Sequence, residues 1–207
     1  MSLKGRLPNQ LLSLALTTID EILGKNGTNT LLNYAKLQKF KDNYPPYNLE
    51  LEQSSEDFSR LLTGIIDIFG EKGARPILFR GGMRSFEIMH DNYPSLWSLE
   101  GIEPTEKTSE RLYKEFVNIQ NIIVNTSTQI FGDIYKLYEC DEGLVLENND
   151  CYWCKGLKVK DPICHGSVGF NLAIAKWIMG ENAKVEEIHC SAVGDGFCRF
   201  VMYKPKT

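Results

Sequence analysis

The spacing of apolar residues changes once along this chain, at Gly132, and that change limits the fold more than any other feature. Up to Phe131 the apolar positions recur at helical intervals: Leu12, Ala15, Leu16, Ile19, Ile22 and Leu23; then Leu61, Leu62, Ile65, Ile66 and Phe69; then Leu112, Phe116, Ile119, Ile123 and Ile130. After Gly132, "DIYKLYEC", "GLVLE" and "KVEEIHCSAVGDGFCRFVMY" are short, apolar or alternating, and interrupted by turn residues, as in hairpins. This order predicts an α+β fold: helices packed on one side of a mainly antiparallel sheet whose hairpins come from residues 133–147 and 184–203.

The punctuation is equally legible. Gly24 ends the first helix, and a second spans residues 28–42 until the prolines of "NYPPYNLE" break it. Ser54 or Ser55, followed by Glu56 and Asp57, caps a helix that stops at Gly70. "PILFRGGMRSFEIMHDNYP" reads as another helix, in which Gly81 and Gly82 let a second backbone come close. The longest helix covers residues 103–131, with Thr105 or Ser109 near its start, and "CYWCKGL" is expected to continue as a strand. Asp161 as N-cap and Pro162 at the first helical position open a helix that runs to Met179 and is capped by Gly180. The expected division is a helical N-terminal elaboration over residues 1–48 and a ligand-binding domain over residues 49–207.

Charge narrows the partners. A net charge of −4 and a pI near 5.5 lack the basic footprint of a phosphate-binding surface, so no nucleic-acid partner is expected. No window is apolar for long enough to span a membrane. The start "MSLKGRLPNQLLSLALTTIDEILG" lacks the pattern of a signal peptide, and a cytoplasmic location is expected. In that reducing compartment the six cysteines read as thiols or metal ligands before disulfides.

Three of these cysteines are brought together by the expected elements. Cys164 falls in the first turn of the helix opened by Asp161 and Pro162, where the helix dipole favours a thiolate. The Gly194-Asp195-Gly196 turn sets Cys190 close to Cys198. Glu187 precedes Cys190 by three residues and would face the other way in a regular strand, so joint ligation requires a bulge or local twist. Three thiolates and one carboxylate suit a closed tetrahedral zinc site. Spacing alone leaves other sets open: His165 or His189 in place of Glu187, the four cysteines Cys151, Cys154, Cys190 and Cys198, or buried thiols with no metal. Cys151-Tyr-Trp-Cys154 has the interval of a redox dithiol, against which stands the reading that Tyr152 and Trp153 pack while the thiols take no part.

"CHGSVGFNLAIAKWIMGENAKVEEIHCSAVGDGFCRFVMY", residues 164–203, resembles the signature end of the 4-vinyl-reductase-type domain family: a cysteine, a small-residue-rich helix, Glu-x-x-Cys, a Gly-Asp turn and Cys-x-Phe. That family is named for a bacteriochlorophyll-biosynthesis protein, supplies the effector-sensing domain of phenol-responsive bacterial regulators, and has a fold like a subunit of the vesicle-tethering TRAPP complex. The resemblance implies zinc held by Cys164, Glu187, Cys190 and Cys198, a hydrophobic, aromatic or tetrapyrrole ligand, and a homodimer. The expected function is non-catalytic binding or sensing of a small hydrophobic molecule, in a pocket between the helices of residues 61–69, 77–89 and 112–130 and the C-terminal sheet, read by a protein partner. The competing reading is a redox or iron–sulfur protein, or a participant in vinyl-group reduction during tetrapyrrole biosynthesis. The sequence shows no glycine fingerprint for a dinucleotide and no Ser-His-Asp order to support catalysis.

Overall fold

The structure, a computed structural model, describes residues 5–94 and 108–205. In chain order these form β1 (Arg6–Leu7), α1 (Asn9–Tyr34), a single 3-10 turn (Gln38–Phe40), β2 (Gln53–Ser54), α2 (Ser55–Asn92), α3 (Ser109–Phe131), β3 (Tyr135–Glu139), β4 (Gly143–Asn148), α4 (His165–Met179), β5 (Val185–His189) and β6 (Cys198–Tyr203). The short β1 and β2 pair with each other, and the other four strands form one antiparallel sheet in the order β3-β4-β6-β5. The chain is α+β, as the change of period at Gly132 requires.

One face of the sheet carries the helices. Leu144 and Leu146 of β4, Phe200 and Met202 of β6 and Val185 of β5 join the apolar cluster to which all the helices contribute. The register pairs Leu146 with Phe200 and Leu144 with Met202, so these side chains stand side by side on that face. The alternate positions pair Val145 with Val201 and Glu147 with Arg199 on the opposite face. There Arg199 donates to Glu147 at 2.6 Å, and the Tyr138 hydroxyl donates to the same carboxylate at 2.9 Å. Period two has separated an apolar layer from a polar one.

The glycines end helical runs where expected, but two of the breaks are kinks inside longer helices. Gly24 has φ 71° and ψ 163° within α1, and Gly70 has φ 69° and ψ 165° within α2. These left-handed φ values suit glycine and turn the axis without separating the two halves. The second half of α1 ends at Tyr34, earlier than residue 42, and the prolines at 45 and 46 lie in a loop beyond it. Ser54 caps α2 by accepting from the Glu56 N–H at 3.1 Å. Thr108 caps α3 by accepting from the Arg111 N–H at 3.2 Å; Thr105 and residues 103–107 of the expected helix lie outside the described residues.

Two local expectations are corrected. Residues 151–157 form turns instead of a strand. Helix α4 begins at His165, with Cys164 in the N-cap position, so Asp161 and Pro162 belong to the preceding loop. Both corrections have one cause: the segment from Cys151 to Cys164 is bent inward so that its cysteines meet those of β5 and β6.

The core crosses the expected boundary at residue 48. Leu12, Leu16, Leu31 and Leu32 of α1 belong to the same apolar cluster as Phe58, Leu61 and Ile65 of α2 and Phe200 of β6. Close approach of α2 and α4 fixes the centre of the molecule: a β-carbon on Gly169 would stand 2.1 Å from the Phe79 carbonyl oxygen, far inside van der Waals contact.

Candidate functional site: a thiol cluster beside an apolar cavity

Five of the six cysteines converge, and all five are buried. Cys151 and Cys154 come from the turns after β4, Cys164 from the N-cap of α4, Cys190 from the residue after β5, and Cys198 from the start of β6. The Sγ atoms of Cys154 and Cys198 are 3.4 Å apart, Cys151 and Cys164 3.6 Å, Cys164 and Cys198 3.8 Å, and Cys164 and Cys190 4.0 Å. These are contacts between free thiols, well beyond the ~2.05 Å of a disulfide. Two sets of four have their ligand atoms mutually within 4.8 Å: Cys151, Cys154, Cys164 and Cys198, and Cys164, Glu187, Cys190 and Cys198. Cys140, at the β3–β4 turn, is in neither set.

Glu187 reaches the cluster because β5 is irregular. The pairing of β5 with β6 shifts register between Glu187 and His189, and this supplies the bulge that the three-residue interval to Cys190 demands. One oxygen of Glu187 accepts from the Cys164 N–H at 2.9 Å; the other, Oε1, is buried without a hydrogen-bond partner. The loop after β5 is held by Asp195, whose carboxylate accepts from the Cys190 N–H at 2.8 Å, and by Gly194 at φ +117°. The Ser191 N–H points at the Cys198 sulfur, 3.4 Å away.

The thiols and carboxyl titrate as one unit when no cation lies between them. Burial, and then the charge of Cys190, pushes the Glu187 carboxyl up to about 9. Hydrogen bonding from neighbouring thiols, Cys154 first, lowers Cys190 to about 6, and the same kind of contact, Cys151 first, lowers Cys198. Cys154 and Cys164 move upward as donors in those contacts, with Cys151 the first partner of each. A buried group of this composition concentrates negative charge at short range, and a divalent cation relieves it.

Neither candidate substitute for Glu187 joins the cluster. Burial, and then the charge of Arg75, lowers His165 to about 4. His189 instead lies 3.4 Å from Asp195 and packs on Phe197 with ring centroids 5.4 Å apart. Of the expected four-cysteine set, Cys151, Cys154 and Cys198 do come together, with Cys164 where Cys190 was expected. Hairpin spacing alone overlooked this, because Cys151 and Cys154 approach from a turn that reads locally as a strand. His90 packs its ring on Trp177, centroids 5.0 Å apart.

A cavity of about 230 Å³ lies beside the cluster. Its wall includes Leu62, Ile77, Leu78 and Met89 of α2, Ile123, Val124 and Ile130 of α3, and Leu146 and Phe200 of the sheet. Leu11, Leu14, Ala15 and Ile19 of α1 complete it, a contribution absent from the sequence reading, which assigned α1 to a separate elaboration. Few polar groups reach the wall. Gln120 donates from Nε2 to Asn171 Oδ1 at 3.1 Å, while its Oε1 is buried with no partner. The Tyr135 hydroxyl is held well above its ordinary pKa by burial.

The segment Cys151-Tyr152-Trp153-Cys154 joins the two features. Its cysteines enter the thiol cluster and its two aromatic rings line the cavity. Phe58 meets Trp153 edge-on at 5.4 Å and Tyr152 at 5.7 Å, and Phe131 lies 5.7 Å from Tyr152. A β-carbon on Gly166, in the first turn of α4, would fall 2.2 Å from the Trp153 ring. Position 166 therefore has to be glycine for this ring to reach the cavity wall.

The comparisons with known proteins agree with this geometry. The family model of the 4-vinyl-reductase-type domain matches residues 144–204, the segment that contains every cluster residue. The C-terminal part of the chain is thus a domain segment of that type. An uncharacterized protein of Methanocaldococcus jannaschii is 35% identical over 57 residues, 28% of this chain and 32% of that one; the chain spans about a third of that relative's length. Among solved structures, a point mutant of T. tengcongensis H-NOX matches with a TM-score of 0.63 and 15% identity over 97% of this chain and 100% of that one. An oxygen-binding H-NOX domain related to soluble guanylate cyclases matches with a TM-score of 0.60 and 15% identity over 96% of each chain. The overall fold is therefore H-NOX-like from end to end.

Another of the similar H-NOX structures concerns the function of heme distortion, and the cavity of this chain does not fit that group. None of the three histidines and none of the cysteines lies on its wall, which leaves Met89, Tyr135 and Tyr152 as residues of ligating type. Burial keeps the Tyr135 phenol protonated. A volume of about 230 Å³ holds one substituted ring, given that a cavity of ~150 Å³ takes up benzene; a four-pyrrole macrocycle exceeds it. Among the described residues, no helix is long and apolar enough to cross a membrane.

Proposed function

We propose that this protein binds a small, mostly apolar aromatic molecule in the cavity between α1, α2, α3 and the sheet, without catalysis, and that zinc in the adjoining thiol cluster is structural. The observation that carries the reading is the double role of residues 151–154: alternate sides of one turn serve the cluster and the cavity wall. Zinc at Cys164, Glu187, Cys190 and Cys198 ties the N-terminus of α4 to the last hairpin and so fixes the backbone behind Trp153. The donor set supports the metal. Tetrahedral zinc with Zn–S near 2.3 Å separates its sulfurs by about 3.8 Å, and the sulfur of Cys164 lies 3.8 and 4.0 Å from those of Cys198 and Cys190. The unpartnered Glu187 Oε1 supplies the remaining oxygen ligand.

The ligand class follows from the wall. Aliphatic and aromatic side chains dominate it, and the unpartnered Gln120 Oε1 accepts one hydrogen bond. A single ring bearing a hydroxyl or N–H group answers both features. The same reading takes the active species as a homodimer whose ligand state is sensed by another protein; sedimentation of the purified chain reads the first part.

Native mass spectrometry of freshly purified protein, with metal analysis, tests the whole reading. The expected result is a colourless protein that retains zinc and is stabilised by phenol-type ligands in a thermal-shift assay. A brown protein with visible charge-transfer bands, or a ligand coordinated to the metal through an open position, overturns it in favour of iron–sulfur or catalytic chemistry.

A further inference from the structure

We propose that the thiol cluster holds two metal ions, bridged by the sulfurs of Cys164 and Cys198. The proposal goes beyond the single structural zinc and rests on the reading of Cys164, Glu187, Cys190 and Cys198 as metal ligands.

The geometry consists of two tetrahedral donor sets with a common edge. Cys151 and Cys154 lie with Cys164 and Cys198 in one set of four, and Glu187 and Cys190 lie with the same two cysteines in the other. The shared edge, Cys164 to Cys198, measures 3.8 Å, the separation that tetrahedral zinc imposes at about 2.3 Å per Zn–S bond. The edges private to the first set agree with it, at 3.6 Å from Cys151 to Cys164 and 3.4 Å from Cys154 to Cys198. A single ion uses four donors, whereas six converge here. With one zinc in the second set, Cys151 and Cys154 would stay as buried thiols at ligand spacing with no ligand role.

Charge balance permits the second ion. Three thiolates and a carboxylate around one divalent ion leave a net charge of about −2; adding two thiolates and a second divalent ion leaves the same. Each new thiolate gives up its proton to solvent as the ion enters, with no electron transfer. Soft sulfur donors at this close spacing suit zinc or cadmium, while a cubane iron–sulfur cluster has to place sulfides between its thiolates and needs them farther apart. The alternation in Cys151-Tyr152-Trp153-Cys154 then acquires a cause: the second ion anchors both ends of the turn whose rings close the cavity.

Native mass spectrometry of the full chain reconstituted with zinc tests the count. Two zinc ions per chain are expected, falling to one in Cys151→Ser and to one in Cys190→Ser. One zinc in the wild type overturns the bridged pair but leaves the single-site reading standing; none overturns both. Two zinc ions persisting in Cys151→Ser mean that the second is adventitious, and the proposal fails. Cadmium-113 NMR of the wild-type protein decides the matter however the variants fold. Two signals split by each other are expected through shared sulfurs, and a single signal or two uncoupled ones overturn the bridge.

Discussion

Gly82 of α2 lies so close to Gly166 of α4 that a β-carbon at position 82 would stand 2.0 Å from the Gly166 carbonyl oxygen. The two glycines bring the cavity-lining helix onto the helix that begins just after Cys164. Since Gly166 also abuts the Trp153 ring, one contact point ties together cavity, helix and cluster.

Gly82→Ala should therefore force α2 and α4 apart. Overpacking of this kind costs about 1–3 kcal/mol, and chemical denaturation should show it. Gly196→Ala is the comparison, because a β-carbon there meets nothing within 4 Å and its φ is ordinary. It should change stability by no more than about 0.5 kcal/mol.

Trp153→Ala should enlarge the cavity and destabilise the fold by about 3–5 kcal/mol, the usual range for removing a packed aromatic. The turn cysteines on either side are unchanged, so metal content measured by mass spectrometry should stay at the wild-type level. Bicyclic aromatic probes excluded by the native cavity should now give a thermal shift.

Gln120→Leu should separate hydroxylated from plain aromatic ligands. The lost acceptor costs about 1–1.5 kcal/mol in a hydrogen bond to the ligand, or roughly tenfold in affinity. Calorimetry should show that loss for cresol and little change for toluene. Equal effects on both would mean that Gln120 Oε1 does not face the ligand.

Cys198→Ser removes a sulfur common to both donor sets and should abolish most metal binding. Binding energy at a structural zinc site is folding energy, so destabilisation of about 4 kcal/mol or more is expected, read as a fall in Tm of roughly 8 °C or more. Cys140→Ser, outside the cluster, should leave both metal content and Tm unchanged. A drop in Tm without loss of metal would identify Cys198 as a packing residue only.

Local patterning determined a great deal. The change from helical to alternating spacing at Gly132 fixed the fold class, because a helix and a half-buried strand place apolar side chains at different periods. Gly24, Gly70 and Gly180 marked real breaks, since each takes a positive φ that other residues avoid. Cys164, Glu187, Cys190 and Cys198 could be picked out because three adjacent elements carry them and the needed bulge could be named in advance.

Tertiary structure alone decided the rest. Cys151 and Cys154 join the cluster because a turn folds back over the end of the sheet, and nothing within "CYWCKGL" separates that turn from a strand with inert thiols. Helix α1 closes the cavity because its apolar stripe finds α2 and α3; the stripe was legible, but its partner was not. Periodicity records which face of an element is buried, whereas the choice of what covers that face belongs to contacts between residues far apart in the chain.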